Sequence, residues 1–431
     1  MRRAVIIVLD GLRRDLLGER YTPNLVRLAA HAANFNAHRS VFPSATRVAS
    51  SSLATGCLPM RHGLQGNSCA LIENGRLVLH DAGRPDFLNR KRQVTGRALG
   101  VPTLAERTKK IGGTIVFSNV SPGASYTHDP DGHGYVYHRA GSFGPGRIQL
   151  ADSQQLKVTP DVAGDRMMTE RFIAEALVEE RPALAVLWMG EPDATQHLHP
   201  LGSPQHIAGL EAADHHAGLV ITAVERLREA GDDVLLIATS DHGHQTVSGV
   251  IDIEAELVAA GLKQHAASHD VISASNGTSA LIYVDPELAA SRAPSIHDFL
   301  LSRAWAGRVI AAEKLSSVGQ APVNGLAFAI SMRANDDANE FGIAGMSLVA
   351  KPHFGKPDRL GCGQHGGLGR QEQAPFLMCL GQGFAAGASE HPTSVLDIAP
   401  TVLQHLGLEL GGLDGRALQD QVGAVLRATT P

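Results

Sequence analysis

Four runs of consecutive apolar residues each give way to a polar or glycine-rich stretch: AVIIVLD at 4–10, GGTIVFSN at 112–119, ALAVLWMGEPD at 183–193 and DVLLIATSDHG at 233–243. Runs that do not alternate in polarity predict strands buried on both faces, as in a parallel sheet. Helical patterns lie between them, among them PNLVRLAAHA at 23–32 and AGLVITAVERLREAG at 217–231. Parallel strands need crossover connections, and these are right-handed, so the alternation predicts an α/β fold: a doubly wound, largely parallel sheet flanked by helices. In open sheets of this kind ligands collect outside the carboxyl ends of the strands. Asp10, Asp193 and Asp241 all sit at such ends, so residues far apart in sequence are predicted to meet in one crevice.

The pattern changes between 246 and 350. Short elements such as IDIEAELVAAG, ALIYVDPEL and PSIHDFLLSRAW appear there without the signature of a strand followed by a candidate ligand. This stretch reads as an inserted, small α+β cap subdomain, with 1–245 and 351–431 forming the core. The final core elements are expected in APFLMCLGQGF at 374–384 and SVLDIAPTVLQHLGL at 394–408. The segment 122–148 is rich in Gly, His and Tyr and reads as a long loop, a kind of segment often tied to function.

Composition excludes several classes. An apolar fraction of 43% over 431 residues suits a globular enzyme with a sizeable core. A net charge of −5 lacks the basic footprint of a protein that binds nucleic acid polymers. The four cysteines (Cys57, Cys69, Cys362 and Cys379) show no CxxC spacing and read as reduced, mostly buried thiols. No apolar run is long enough to span a bilayer. Because Met1-Arg2-Arg3 runs straight into a strand with no leader-like segment before it, a cytoplasmic location is expected. Nothing in the sequence sets the oligomeric state.

Three Asp and three His then stand out: Asp10, Asp193 and His197 in EPDATQH, Asp241 and His242 in TSDHGH, and His365 in GCGQHGG. Each alone is weak, since an Asp capping a strand or a His in a glycine-rich loop is usually structural. Asp193 and His197 are four apart and share a face if their segment is helical. With the hydroxyl of Thr46, in FPSATR, the set is sufficient to hold two divalent cations around a nucleophile.

The order of the local motifs carries a resemblance. The chain reads VLDG, PSAT, TGCLPMRHGLQGN, EPDATQH, SDHG and QHGG, followed by DIAPTVLQHLGL and DGRAL. It resembles the type I phosphodiesterase/nucleotide pyrophosphatase family of the alkaline phosphatase superfamily over about 4–245 and 360–418. The resemblance implies that Asp193, His197 and His365 hold one metal, and that Asp10, Asp241, His242 and the Thr46 oxygen hold the other. The mixed Asp/His set suits zinc, with manganese or iron as alternatives. Two such cations about 4 Å apart clamp the attacking and leaving oxygens of an in-line displacement. Thr46 is then expected to form a phospho-threonine intermediate. Asn67, twenty-one positions after Thr46, would bind a non-bridging phosphoryl oxygen together with the backbone N–H of Arg47. His62 reads as structural.

The expected substrate is a small phosphoester, a phosphodiester or pyrophosphate in preference to a monoester. Arg47 stands where the family often has an aromatic residue; it contacts an anionic group or forms a structural ion pair. Tyr126, Tyr135 and Tyr137 are candidates for packing against an organic substituent, or ordinary loop residues. A sulfatase is disfavoured, because its C/S-x-P-x-R register reads Thr46, Val48 and Ser50 here. Phosphoglycerate mutases use a Ser nucleophile. Phosphonoacetate hydrolases carry a lysine pair where this chain has TIVFSNVSPG; that activity or a phosphomonoesterase remains the alternative, with Lys109, Lys110 or an Arg serving from elsewhere. A non-catalytic binding protein on the same scaffold is a remote alternative, since all seven positions are retained.

Overall fold

The structure, a computed structural model, describes residues 2–419. Its centre is a ten-stranded sheet whose inner strands are Thr114–Ser118, Leu184–Met189, Arg2–Leu9 and Asp233–Thr239, in that spatial order and all parallel. The antiparallel Leu377–Leu380 follows beside Asp233–Thr239 and joins Ala33–Phe35 and Gly387–Ser389 at one edge. The largely parallel α/β architecture is therefore the one expected from the sequence.

The strand Arg2–Leu9 shows why its run is continuously apolar. Ala4, Ile6 and Val8 face a layer containing Leu53, Ile398, Val402 and Leu403, from the helices Thr46–Thr55 and Ile398–Leu406. Val5, Ile7 and Leu9 face the opposite layer with Leu25, Leu28, Ala213 and Val220, from the helices Pro23–Ala29 and Pro204–Glu229. Alternate side chains point to opposite faces, so both sets must be apolar when helices cover both. At roughly 25 cal/mol per Å² of apolar surface buried, this two-sided burial is the main stabilising term of the core. The last of these helices begins earlier than its apolar pattern at 217–231 announces. Its start is set by Ser203, whose side chain accepts the His206 N–H, with Pro204 in the first turn.

One expectation is corrected. The segment 122–148 is not a long loop: it holds the helix Pro122–Ser125 and the strands Tyr135–Tyr137 and Phe143–Gly144, which with Ile148–Gln149 extend the central sheet beyond Thr114–Ser118. These strands are two or three residues long, too short for polarity to reveal their period.

Between 246 and 350 the chain builds a four-stranded antiparallel sheet in the order Val271–Ser275, Ser279–Val284, Leu326–Met332, Ala306–Ala311. The helices Ile253–Ala259 and Ala289–Leu301 cover it over a separate small core that includes Leu257, Ile282 and Leu300. A second small sheet pairs Ala344–Ala350 with Gln245–Ile251, which pairs in turn with Gly363–Gln364. That sheet straddles both 245/246 and 350/351 and ties the region to the strand end carrying Asp241. Among the described residues no helix is long and apolar enough to cross a membrane.

Candidate active site and metal centre

The four elements that carry the acidic and imidazole side chains end on one side of the central sheet. Asp10 follows Arg2–Leu9, Asp241 and His242 follow Asp233–Thr239, and Asp193 opens a single helical turn, Asp193–Gln196, after Leu184–Met189. His365 follows the short strand Gly363–Gln364. Asp193, His197, His244 and His365 present ligating atoms within 4.8 Å of one another, and so do Asp10, Asp193 and His242. Asp241 Oδ2 lies 3.2 Å from His242 Nε2. All six sequence-predicted Asp and His residues therefore converge.

The imidazoles are oriented alike. His197 Nδ1 is 3.0 Å from Gly363 O, His242 Nδ1 is 3.1 Å from Gly243 O, and His365 Nδ1 is 2.8 Å from Ser44 O. A backbone carbonyl can only accept, so the hydrogen-bond network assigns the proton to Nδ1 and turns each Nε2 lone pair toward the carboxylates. Burial, and for His242 and His365 the neighbouring imidazoles, keeps these rings neutral. His197 and His242 are pushed well below the usual imidazole range and His365 down to about 3.

Among the described residues no Lys or Arg pairs with Asp10 or Asp241; Arg47 attracts Asp10 only from beyond ion-pair distance. Asp10 accepts from Trp188 Nε1 at 2.9 Å and Asp241 from the Gly11 N–H at 3.1 Å. Asp10 Oδ1 and Asp241 Oδ2 are nevertheless buried without a hydrogen-bond partner. Burial, reinforced for Asp10 by Asp241 and Asp193, raises the Asp10 carboxyl well above its ordinary range, and burial first of all raises Asp241 to about 8. Neutral imidazoles aimed at unpaired buried carboxylates form a donor set that fits divalent cations.

Thr46 is the first residue of the helix Thr46–Thr55, and its Oγ1 is 3.1 Å from His242 Nε2. The Arg47 N–H donates to Asn67 Oδ1 at 3.2 Å. That N–H is thus engaged in orienting Asn67 and is not the free phosphoryl donor expected from the sequence. Asn67 Nδ2, with no partner among the described residues, is left to the cleft. The Asn67 loop is locked in turn by Asn276, whose side chain accepts from Ser68 N and donates to Ser68 O at 3.1 and 3.0 Å. His62 is structural, bonded to Ser52 Oγ and the Leu64 N–H.

Asp10, Thr46, Asn67, Asp193, His197 and His365 line a cleft of about 290 Å³ with Ser275 and Asn276 from the 246–350 region. Four of its residues carry charge that the motifs do not announce: the cations Arg139, Lys356 and Arg359, and the anion Asp358. Lys109 and Lys110 are exposed elsewhere. The tyrosines singled out in the sequence are not among the lining residues. Tyr126 is buried, its hydroxyl donating to Gly141 O at 2.9 Å. Tyr135 lies on the strand Tyr135–Tyr137, which pairs with Thr114–Ser118 on one side and Phe143–Gly144 on the other, and its ring stacks on Tyr137. Their substrate-binding role is corrected: packing within the sheet extension occupies them. His244 was missed, although it stands two positions after His242 in TSDHGH; its Nε2 is 2.7 Å from Asp193 Oδ1.

Comparison with known proteins gives the same picture. The sequence profile of the type I phosphodiesterase / nucleotide pyrophosphatase family matches residues 4–310, well over half the chain and into the region read as an insertion. No curated protein sequence matches. Among solved structures, an inactive variant of murine ectonucleotide pyrophosphatase / phosphodiesterase 5 in complex with AMP is 16% identical, with a TM-score of 0.69 over 97% of this chain and 99% of that one. A mutant of alkaline phosphatase PafA, 13% identical, covers the same shares with a TM-score of 0.69.

Proposed function

The chain belongs to the type I phosphodiesterase / nucleotide pyrophosphatase family, and from that premise we propose that it hydrolyses phosphodiester or pyrophosphate bonds of small molecules through a phospho-threonine intermediate. The observation that carries this reading is Thr46 Oγ1, 3.1 Å from His242 Nε2, beside the converging carboxylates and imidazoles. Asp193, His197 and His365 would hold one divalent cation, and Asp10, Asp241, His242 and Thr46 the other. A nitrogen and carboxylate set of this kind favours zinc. When bound, the two cations supply the positive charge that acidifies the Thr46 hydroxyl and balances the oxygens at phosphorus.

The residues of the chain then divide the remaining work. The Thr46 oxygen forms the new bond to phosphorus as the ester oxygen opposite it departs. Water attacks the phosphorylated Thr46 in the second step and returns the hydroxyl. Asn67 Nδ2, fixed through its Oδ1 by the Arg47 N–H, donates to a non-bridging oxygen as charge builds there. The region 246–350 caps the site through Ser275 and Asn276. The inactive variant of the murine relative is in complex with AMP, which makes a nucleotide ester one candidate substrate. The test is a comparison of kcat/KM for bis-p-nitrophenyl phosphate, p-nitrophenyl-TMP, p-nitrophenyl phosphate and phosphonoacetate. A diester preference is expected, and a strong monoester preference overturns the reading.

A further inference from the structure

The cleft wall beyond Thr46 is cationic, and the hydrolysis of a simple diester does not use it. Arg47 leaves Thr46 toward this wall. Among the described residues no carboxylate lies within 4.0 Å of its guanidinium, and its buried Nε has no hydrogen-bond partner. The guanidinium lies over Gly83, where a Cβ would come within 2.3 Å of Nη2. A glycine is what permits that placement.

Lys356 and Arg359 complete the wall. Both come from the connection between Ala344–Ala350 and Gly363–Gln364, whose backbone takes left-handed φ values at Phe354 and Arg359, 61° and 60°. Bulky side chains rarely adopt that conformation, which costs of order 1–3 kcal/mol per residue and clusters at binding sites. Arg359 spends one nitrogen on the His197 carbonyl at 2.8 Å. Lys356 Nζ pairs with Asp81 Oδ2 at 2.8 Å. Burial lowers the pKa of all three; Asp81, Asp193 and Asp10 oppose this at Arg47, Asp81 at Lys356 and Asp193 at Arg359, while Arg47 repels the other two cations. Asp81 already serves Lys356 and the Gly83 N–H, and Asp358 shares the rim. Arg139, which also lines the cleft, is tied to Asn119 and to the Val120 carbonyl.

Three cations facing one cleft beside Thr46, one of them with a buried nitrogen that lacks a hydrogen-bond partner among the described residues, make a site for an anion. We propose that Arg47, Lys356 and Arg359 form a second anion subsite, which takes a carboxylate or phosphoryl group carried on the same substrate whose phosphorus lies at Thr46. The assignment rests on the reading of Thr46 and Asn67 as the floor that binds phosphorus. It narrows the substrate class to phosphorus compounds with a second negative group on the substituent.

Binding without turnover tests it independently of the hydrolytic reading. The zinc-loaded Thr46→Ala protein is titrated calorimetrically with propylphosphonate, 3-phosphonopropionate and propane-1,3-diphosphonate. At least one ligand with two anions is expected to bind about tenfold or more tightly than propylphosphonate, the size expected of one charge-assisted contact. The tighter of the two identifies the second group as carboxylate or phosphoryl. Adding Lys356→Met, at a side chain 40% exposed and therefore safe for folding, is expected to remove most of the advantage. Equal affinity for the three ligands overturns the subsite, as does an advantage that survives both Lys356→Met and Arg359→Met. Loss of propylphosphonate binding alone counts against the floor at Thr46 and leaves the subsite standing.

Discussion

His244 Nε2 lies 2.7 Å from Asp193 Oδ1, closer to that oxygen than His197 Nε2 at 3.3 Å or His365 Nε2 at 3.6 Å. The ring has room only because its neighbours are glycines: a Cβ at Gly11 would meet Nε2 at 2.7 Å and one at Gly363 would meet Nδ1 at 2.8 Å. Asp193 belongs to both candidate ligand groups, so its orientation bears on both.

His244→Ala is therefore expected to weaken metal binding about 10–100-fold, the usual effect of removing a partner that orients a ligand. Titration with zinc in a metal buffer reads this directly, and kcat/KM at limiting zinc should fall in parallel. Unchanged zinc affinity would show that the contact with Asp193 is incidental.

Thr46→Ala tests the nucleophile. Removing the attacking oxygen is expected to lower kcat by about a thousandfold or more, while Thr46→Ser, which keeps a hydroxyl at the same helix start, retains measurable turnover. Quenched-flow trapping of a phosphorylated residue in the wild-type chain supplies the complementary readout. Hydrolysis of bis-p-nitrophenyl phosphate at the wild-type rate by Thr46→Ala would remove Thr46 from the mechanism.

The parts of this site legible in the sequence are those written locally. Asp10, Asp193 and Asp241 could be placed because each closes or follows an apolar run, and strand ends in such sheets point to one crevice. His365 and Thr46 needed the order of the motifs, since neither a glycine-flanked His nor a Thr at a helix start is distinctive alone. Lys356 and Arg359 were not legible. Their connection reaches the cleft only because Gln245–Ile251 pairs with both Ala344–Ala350 and Gly363–Gln364, and pairing between remote strands leaves no periodic trace. Asn276 was hidden for the same reason, its partner Ser68 lying 208 positions away.

Buried neutral histidines set the acid limit of stability. Burial pushes His38 and His62 down to about 3, with Arg14 and Lys91 adding to it, and pushes His128 and His138 to about 4. Below the ordinary value near 6.5 the unfolded chain binds these protons and the folded chain does not. Their contribution is thus complete above pH ~6.5 and is lost progressively as pH falls toward 3–4. Burial also raises Asp165 to about 6, Glu191 to about 7, Asp241 to about 8, and Asp10, Glu372 and Asp397, which act with the opposite sign. It lowers His197, His206, His216, His242, His365 and His405 beside the first four, so the histidines outnumber them. Stability of chelator-treated protein, measured by urea unfolding, should fall from pH 7 to pH 4.5. His62→Asn, which keeps an acceptor for the Leu64 N–H, should flatten that slope by up to about 1.4 kcal/mol per pH unit, the value of one proton. An unaltered slope would mean that His62 is protonated in the folded chain.

Glu372 couples the loop before Thr46 to the loop after His365 through backbone donors. Its buried carboxylate accepts the N–H groups of Gly367 and Gly369, both at 2.8 Å, and the hydroxyl of Thr278. Ser44, two residues before Thr46, donates its hydroxyl to Gly367 O at 3.0 Å and accepts the His365 Nδ1 proton on its carbonyl at 2.8 Å. The loop after His365 and the loop before Thr46 are thereby held as one unit, with Glu372 as its buried anchor. In Glu372→Gln the side chain keeps its shape, but an amide NH₂ must face a backbone N–H where an oxygen accepted before. Losing a charge-assisted acceptor and leaving a buried donor unmet costs about 2–4 kcal/mol. Tm should therefore fall by several degrees, and zinc should dissociate faster, because His365 moves with its loop. Wild-type zinc retention in a destabilised Glu372→Gln would confine Glu372 to packing. Wild-type stability with weakened zinc binding would show that the loop is held elsewhere and only its register at His365 depends on Glu372.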